Sequence, residues 1–287
     1  MNRETIKYLI ANTIYGTIGL FLHFVNTSSE FVVLCRGFIG SLFIILIKII
    51  NKDYIDRESI KNNLKLLVIS GMALGLNWVF LFAGYRYAVS ITSLCNYMAP
   101  IIIVLISAIF LKERINNKQK LCVFLAFVGI TLVSGIFEDN SLIDYHCIIF
   151  GLLAALGFVI LVLCNRRLEN IKPLDKTVIQ LFVSALTVLP YVILNNGFPT
   201  SIDFRSIILL VVMGVVHTGI AYILYFNSID VLPVHKVAVL GYIEPVLSVL
   251  IGALVFNEYL GIAGIIGAIL IIFSALFNEI SSLNNNN

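Results

Sequence analysis

The chain has 287 residues, of which 60% are hydrophobic and only 12% charged, and its mean hydropathy is +1.01. A soluble globular protein carries about 25% charged residues, so this composition cannot clothe a water-facing surface. It excludes a soluble enzyme, a nucleic-acid-binding domain and a disordered chain, and the formal net charge of +3 is too small to point to a polyanionic partner.

A membrane-crossing helix needs about 20 predominantly apolar residues, and ten such segments follow one another. Span 1, Lys7–Phe24, carries Asn12 and Tyr15 on one helical face, with His23 near its outer end. It reads as a span and not as a cleaved leader, because no small-residue cleavage site follows it. Span 2, Phe31–Ile50, holds Arg36 about six residues from its outer end, roughly 9 Å deep at 1.5 Å per residue. Span 3, Leu64–Tyr85, has a Gly71/Gly75 small-residue step suited to close helix packing. It also has Asn77-Trp78 near mid-depth, away from the interfacial belt where tryptophan usually sits. Spans 4 and 5 are Val89–Leu111, with Tyr97 and Pro100, and Gln119–Ile136.

Beyond an acidic link at Glu138-Asp139-Asn140 come span 6, Cys147–Leu163, and span 7, Lys176–Leu194. Span 8, Ser206–Phe226, contains His217, Thr218 and Tyr222. Span 9, Pro233–Phe256, contains Tyr242, Glu244 and Pro245. Span 10, Leu260–Phe277, has a small face of Gly261, Gly264 and Gly267, and the polar tail Ser281–Asn287 is expected to be unstructured. These runs are continuously apolar, without the alternation of barrel strands, so the fold class is an all-α membrane protein. Five cysteines lie in or beside apolar runs without CxxC spacing, which suggests neither a disulfide framework nor a metal site.

Basic residues orient the chain. With the N-terminus inside, sixteen of the nineteen Lys and Arg fall in inner segments and two, Arg86 and Arg205, in outer ones. By the positive-inside rule both termini are then cytoplasmic, and the expected location is a cell inner membrane, crossed many times.

A shift of 145 positions places Tyr97 on Tyr242, Pro100 on Pro245, Val104-Leu105-Ile106 on Val249-Leu250-Ile251, Ala108 on Ala253 and Glu113 on Glu258. Each half therefore holds five spans. Five is odd, so the second half enters the membrane inverted, the arrangement of secondary transporters whose substrate site lies between repeats near the midplane. The expected units are a first repeat over residues 1–137, an external linker over 138–146, a second repeat over 147–279 and a cytoplasmic tail over 280–287.

The stretch Gly241-Tyr242-Ile243-Glu244-Pro245-Val246, followed by Phe256-Asn257-Glu258-Tyr259, resembles the second-half signature of the EamA family in the drug/metabolite transporter superfamily. Tyr97-Met98-Ala99-Pro100 with Leu111-Lys112-Glu113-Arg114 resembles its first-half counterpart. Tyr15-Gly16 and Arg36 stand where that family often has a Trp-Gly pair and an Arg, with Tyr replacing the Trp. The resemblance covers nearly the whole chain. It implies a carrier working by alternating access, with a central cavity between spans 1, 3, 4, 6, 8 and 9, and members that export amino acids and other small metabolites. Relatives in the superfamily move nucleotide sugars or triose phosphates.

Ionisable groups inside a membrane are functional candidates by default. Glu244 lies about 11 residues into span 9, roughly 16 Å deep, with Pro245 freeing a carbonyl nearby. It can bind a substrate ammonium, take up a proton, or only hydrogen-bond a neighbouring helix. Arg36 can bind a carboxylate, pair with an acid or snorkel outward. His217 is a candidate proton-coupling group or a packing residue. Asn77, Trp78, Tyr97, Tyr222, Tyr242, Asn12 and Tyr15 are the remaining candidates for a substrate cavity. Glu113 and Glu258 are expected to cap the helices that follow them.

No nucleotide-binding loop, zinc motif or serine elbow is present. The expectation is therefore a non-enzymatic transporter without cofactor or metal, a monomer or homodimer whose partners are a small-molecule substrate and the bilayer. A channel or receptor, and an intramembrane enzyme, are the competing readings.

Overall fold

The computed structural model describes residues 3–110, 117–133, 144–194, 197–229, 231–232, 237, 240–258 and 260–284. Among them the regular elements are helical. In chain order they are α1 (Arg3–Gly16), α2 (Ile18–His23), α3 (Ser29–Ile50), α4 (Arg57–Tyr85), α5 (Val89–Asn96), α6 (Ala99–Phe110) and α7 (Asn117–Val133). The second half holds α8 (Tyr145–Asn165), α9 (Pro173–Leu194), α10 (Phe204–Gly214), a π turn (Val215–Ile220), α11 (Ala221–Ile229), α12 (Ile243–Val255) and α13 (Ile262–Asn284). Among the described residues six helices are long and apolar enough to cross a membrane, from Ser29–Ile50 to Phe204–Ser228, and two shorter apolar ones are Ile243–Val255 and Ile262–Phe277. The chain is an all-helical, multi-pass membrane protein.

Several ends differ from the sequence reading. Helix α4 starts at Arg57, ahead of the Leu64 start of span 3, because the Asp56 carboxylate accepts from the Glu58 and Ser59 amides at 3.0 and 3.2 Å. Helix α13 continues to Asn284, so the first part of the expected polar tail is helical. The Leu111–Arg114 signature with Glu113, and the Glu138–Asn140 link, lie outside the described residues.

Spans 1, 4, 8 and 9 are not continuous α-helices. Span 4 breaks at Tyr97-Met98 and span 9 turns at Tyr242, in each case just ahead of a proline. Pro100 and Pro245 have no N–H to give the carbonyls of Asn96 and Gly241 four residues earlier, and their rings crowd that turn. The two breaks fall at equivalent positions of the repeats.

The packing also repeats. Helix α4 packs on α8 and α9, while α11 packs on α1, and α10 with the π turn packs on α3. Helix α5 packs on α8 as α12 packs on α1, and α3 on α9, α5 on α12 and α7 on α13 complete the set. Exchanging the halves maps each of these pairings onto another or onto itself. Gly16 allows a close approach: a methyl there would lie 2.8 Å from Leu247 Cβ and 3.0 Å from the Glu244 carbonyl. That glycine lets α12 lie directly on α1.

Candidate functional site

The helix breaks converge on a cavity of about 460 Å³ between the two halves. Asn12 and Tyr15 reach it from α1, Arg36 from α3, and Asn77 and Trp78 from α4. Tyr97 arrives at the span 4 break, Tyr222 from α11, and Tyr242 and Glu244 from the span 9 break. His217 stands apart. Its ring is buried in the π turn, with Nε2 3.1 Å from Thr17 Oγ1 and an edge-type contact with the Phe21 ring at 4.5 Å between centroids. The π turn directs it at α1 and α2, behind Arg36.

The cavity is built from aromatic and amide groups. Tyr15 meets Tyr222 at 5.8 Å and Tyr225 at 6.2 Å between ring centroids, and Tyr97 meets Tyr242 at 5.9 Å. The Asn77 amide is fixed by donating to Asn96 Oδ1 at 3.1 Å and to the Ala154 carbonyl at 2.8 Å. The Asn12 amide donates to the Tyr8 carbonyl at 2.8 Å, so it packs along its own helix.

The two charged groups face the same space. Arg36 is 2% exposed, and its guanidinium lies over the Trp78 ring at 4.0 Å from the centroid, a geometry that contributes up to about 2 kcal/mol once desolvated. Its Nε donates to Thr218 Oγ1 at 2.7 Å and its Nη2 to the His217 carbonyl at 3.3 Å. Nη1 is buried with no hydrogen-bond partner among the described residues, and so is the Tyr15 hydroxyl. On the other wall the Glu244 carboxylate neighbours the Tyr97 side chain. No ion pair joins Arg36 to Glu244 among the described residues. Arg36 is buried and Glu244 half-buried in the same cavity, and neither pairs with the other, which is costly unless a third molecule or water completes them.

The cavity extends toward the end of the bundle that gathers Lys48, Asp53 and Lys172, as its lining by Asn165, Thr177 and Gln180 marks. There Gln180 Nε2 donates to Ser70 Oγ at 2.7 Å and to Asn165 Oδ1 at 2.6 Å. At the opposite end the halves are stitched together. The Glu258 carboxylate accepts from the Val89 and Ser90 amides at 2.6 and 2.8 Å. Within the first half Arg86 donates to Ser29 Oγ at 3.0 Å and to the Thr27 carbonyl, and across the halves the His23 and Phe256 rings lie tilted against each other with centroids 4.5 Å apart. Glu258 therefore caps α5 in the other repeat, and not the helix that follows it.

Sequence reasoning missed Tyr8, Asn96, Gln180 and Tyr225. Tyr8 was within reach, since Tyr8, Asn12 and Tyr15 fall on one helical face, as Tyr225 does with Tyr222. Asn96 was marked by Pro100, which leaves its carbonyl free. Nothing local marks Gln180.

A model of the EamA-like transporter family matches residues 5–135 and again residues 146–279. The chain belongs to that family. It is 26% identical over 249 residues to the uncharacterized transporter YxxF of Bacillus subtilis, covering 86% of this chain and 79% of that protein. To the protein PecM of Dickeya dadantii it is 24% identical over 216 residues, covering 74% and 72%. An uncharacterized transporter of Archaeoglobus fulgidus is 23% identical across 93% of both chains. One solved crystal structure superposes with a TM-score of 0.62 over 98% of this chain and 99% of that one, at 18% identity, a likeness of fold alone. The EamA-like match in two copies accounts for the exchange symmetry of the packing, and the chain is a membrane transporter.

Proposed function

We propose that this EamA-like protein is a secondary transporter of small zwitterionic metabolites, amino acids or close relatives, and that it works as an exporter by alternating access. The observation that carries the substrate class is the separation of charge in the cavity. Arg36 keeps Nη1 unpartnered on one wall, Glu244 lies on another, and no ion pair joins them. A substrate carboxylate suits the guanidinium, a substrate ammonium suits the carboxylate, and the tyrosine and tryptophan faces suit what lies between.

Ten spans and a cytoplasmic position for both termini follow from the basic-residue split. With that orientation the cavity extends to the cytoplasmic side and the Glu258 and Arg86 contacts close the outside, which is the loading state of an exporter. The bacterial inner membrane is the corresponding location, and a proton taken by Glu244 is the simplest coupling ion.

The test is counterflow into proteoliposomes containing the full chain, with a panel of labelled amino acids. Unlabelled parent compounds compete against their decarboxylated amines and deaminated acids. The zwitterion is expected to drive exchange, and each singly charged analogue to compete at least tenfold more weakly. Equal competition by all three sinks the two-charge reading.

A further inference from the structure

In span 8 the helix changes register where nothing in the sequence demands it. No proline interrupts Phe204–Ile229, yet Val215–Ile220 is a π turn. Such turns widen the backbone ring, and they are frequent at functional sites. The π turn presents two adjacent acceptors to one side chain, Thr218 Oγ1 to Arg36 Nε at 2.7 Å and the His217 carbonyl to Nη2 at 3.3 Å.

The Thr218 hydroxyl can hold Arg36 because its own proton is committed. It donates to the Met213 carbonyl, five residues back, at 3.0 Å. Its lone pairs then face the guanidinium, and a hydroxyl that donates one bond accepts the next more strongly. Gly40 on α3 makes room for this turn: a methyl there would lie 2.5 Å from Thr218 Cγ2. A guanidinium has five N–H donors in a rigid plane. With Nε and Nη2 held by the π turn and one face held by Trp78, the plane is fixed and the Nη1 edge is what remains.

We infer that Thr218, through the π turn, is the positioning residue that holds Arg36 on Trp78 and keeps its Nη1 edge free for an anionic group of the substrate. That Arg36 meets substrate rests on the functional reading above. That Thr218 sets its place does not, and it can be tested without a substrate.

Trp78 is the chain's single tryptophan, so its emission reports the guanidinium stacked on it. The full chain is purified in detergent, and Arg36→Gln defines the emission without a guanidinium. Thr218→Val keeps the shape and the methyl against Gly40 but removes the hydroxyl. Its emission is expected to move at least half of the way from wild type to Arg36→Gln. Thr218→Ser keeps the hydroxyl and is expected to emit as wild type. If Thr218→Val does not yield folded protein, Thr218→Ala carries the same comparison. A hydroxyl-lacking variant that folds and emits as wild type overturns the inference, and so does a Thr218→Ser shift as large as that of the hydroxyl-lacking variant. Normal transport by Arg36→Gln would overturn the functional reading and leave the emission result standing.

Discussion

Glu258, in the second repeat, holds the backbone amide of Val89, in the first, at 2.6 Å. The local chain aims it there. Helix α12 ends at Val255, Asn257 takes a left-handed conformation with φ 53°, and the Glu258 amide returns to the Gly252 carbonyl at 2.9 Å. The side chain then reaches two amides at the start of α5, which have no partners within their own helix. Gly252 is required here, because a methyl at that position would collide with the Glu258 carboxylate.

Glu258→Ala is therefore expected to destabilise the protein by about 1–2 kcal/mol, the cost of a lost helix cap. Glu258→Gln, which keeps one acceptor oxygen, loses about half as much. Thermal unfolding in detergent measures both. A Glu258→Ala variant that unfolds with wild type shows that the cap adds nothing.

Pro100 and Pro245 were legible as equivalent positions, and the structure puts a helix break just before each. Pro245→Ala restores a donor toward the Gly241 carbonyl and stiffens the turn at Tyr242. Transport is expected to slow several-fold while substrate affinity changes less than twofold. Rates and binding on the same preparation decide it, and a collapse in affinity with the rate intact sinks the hinge role.

The ion cluster at the other end was not legible. Lys48 and Asp175 are 2% and 0% exposed and pair at 2.8 Å, although 127 positions separate them. The sequence reading counted Lys48 among the loop charges that set orientation. Composition and hydropathy report how often the chain crosses the membrane, because transfer cost adds up locally along each segment. They do not report which segments become neighbours. For the same reason the tyrosines of α1 and α11 could each be placed on a helix face, but their meeting around Arg36 could not. The π turn has no sequence signal at all.

That cluster gives a stability prediction. Lys48→Met leaves Asp175 buried without its cation and is expected to cost about 3–5 kcal/mol. Asp53 binds Lys172 at 2.7 Å and Lys48 at 2.5 Å, and these bonds, Lys172 first, hold its carboxyl below the usual carboxylate range. A lowered folded value means that its stabilising effect is present above about pH 4, the unfolded value, and fades as pH falls through the folded value. Asp53 is 36% exposed, so its share is small. Unfolding midpoints from pH 6 down to 3 are expected to fall less steeply for Asp53→Asn than for wild type. Parallel curves would remove Asp53 from the acid response.

Orientation is tested by labelling. Lys118 is exposed at the start of α7 and belongs to the basic set. In a cysteine-free background, Lys118→Cys should resist an impermeant thiol reagent in intact cells and react after permeabilisation. Reaction from outside intact cells contradicts ten spans with a cytoplasmic N-terminus.

The proposed proton coupling is tested at Glu244. It shares a cavity with Arg36 but not an ion pair, and its carboxylate neighbours Tyr97, one residue after the span 4 helix α5 ends at Asn96. A carboxylate in that setting is placed to respond to charge in the cavity. Glu244→Gln keeps the shape and the hydrogen bonding and removes the titration. The variant is expected to reach the membrane in normal amount, and its transport of the compound identified by counterflow should fall at least tenfold. The remaining transport should no longer respond to an imposed pH gradient, because no proton is carried. Exchange of labelled for unlabelled substrate, which needs no net proton movement, should fall less than net flux. Proteoliposomes with and without a pH gradient, at matched protein content, separate these effects. Wild-type rate with a wild-type pH response in Glu244→Gln would reduce Glu244 to a packing residue and leave Arg36 as the cavity's one working charge.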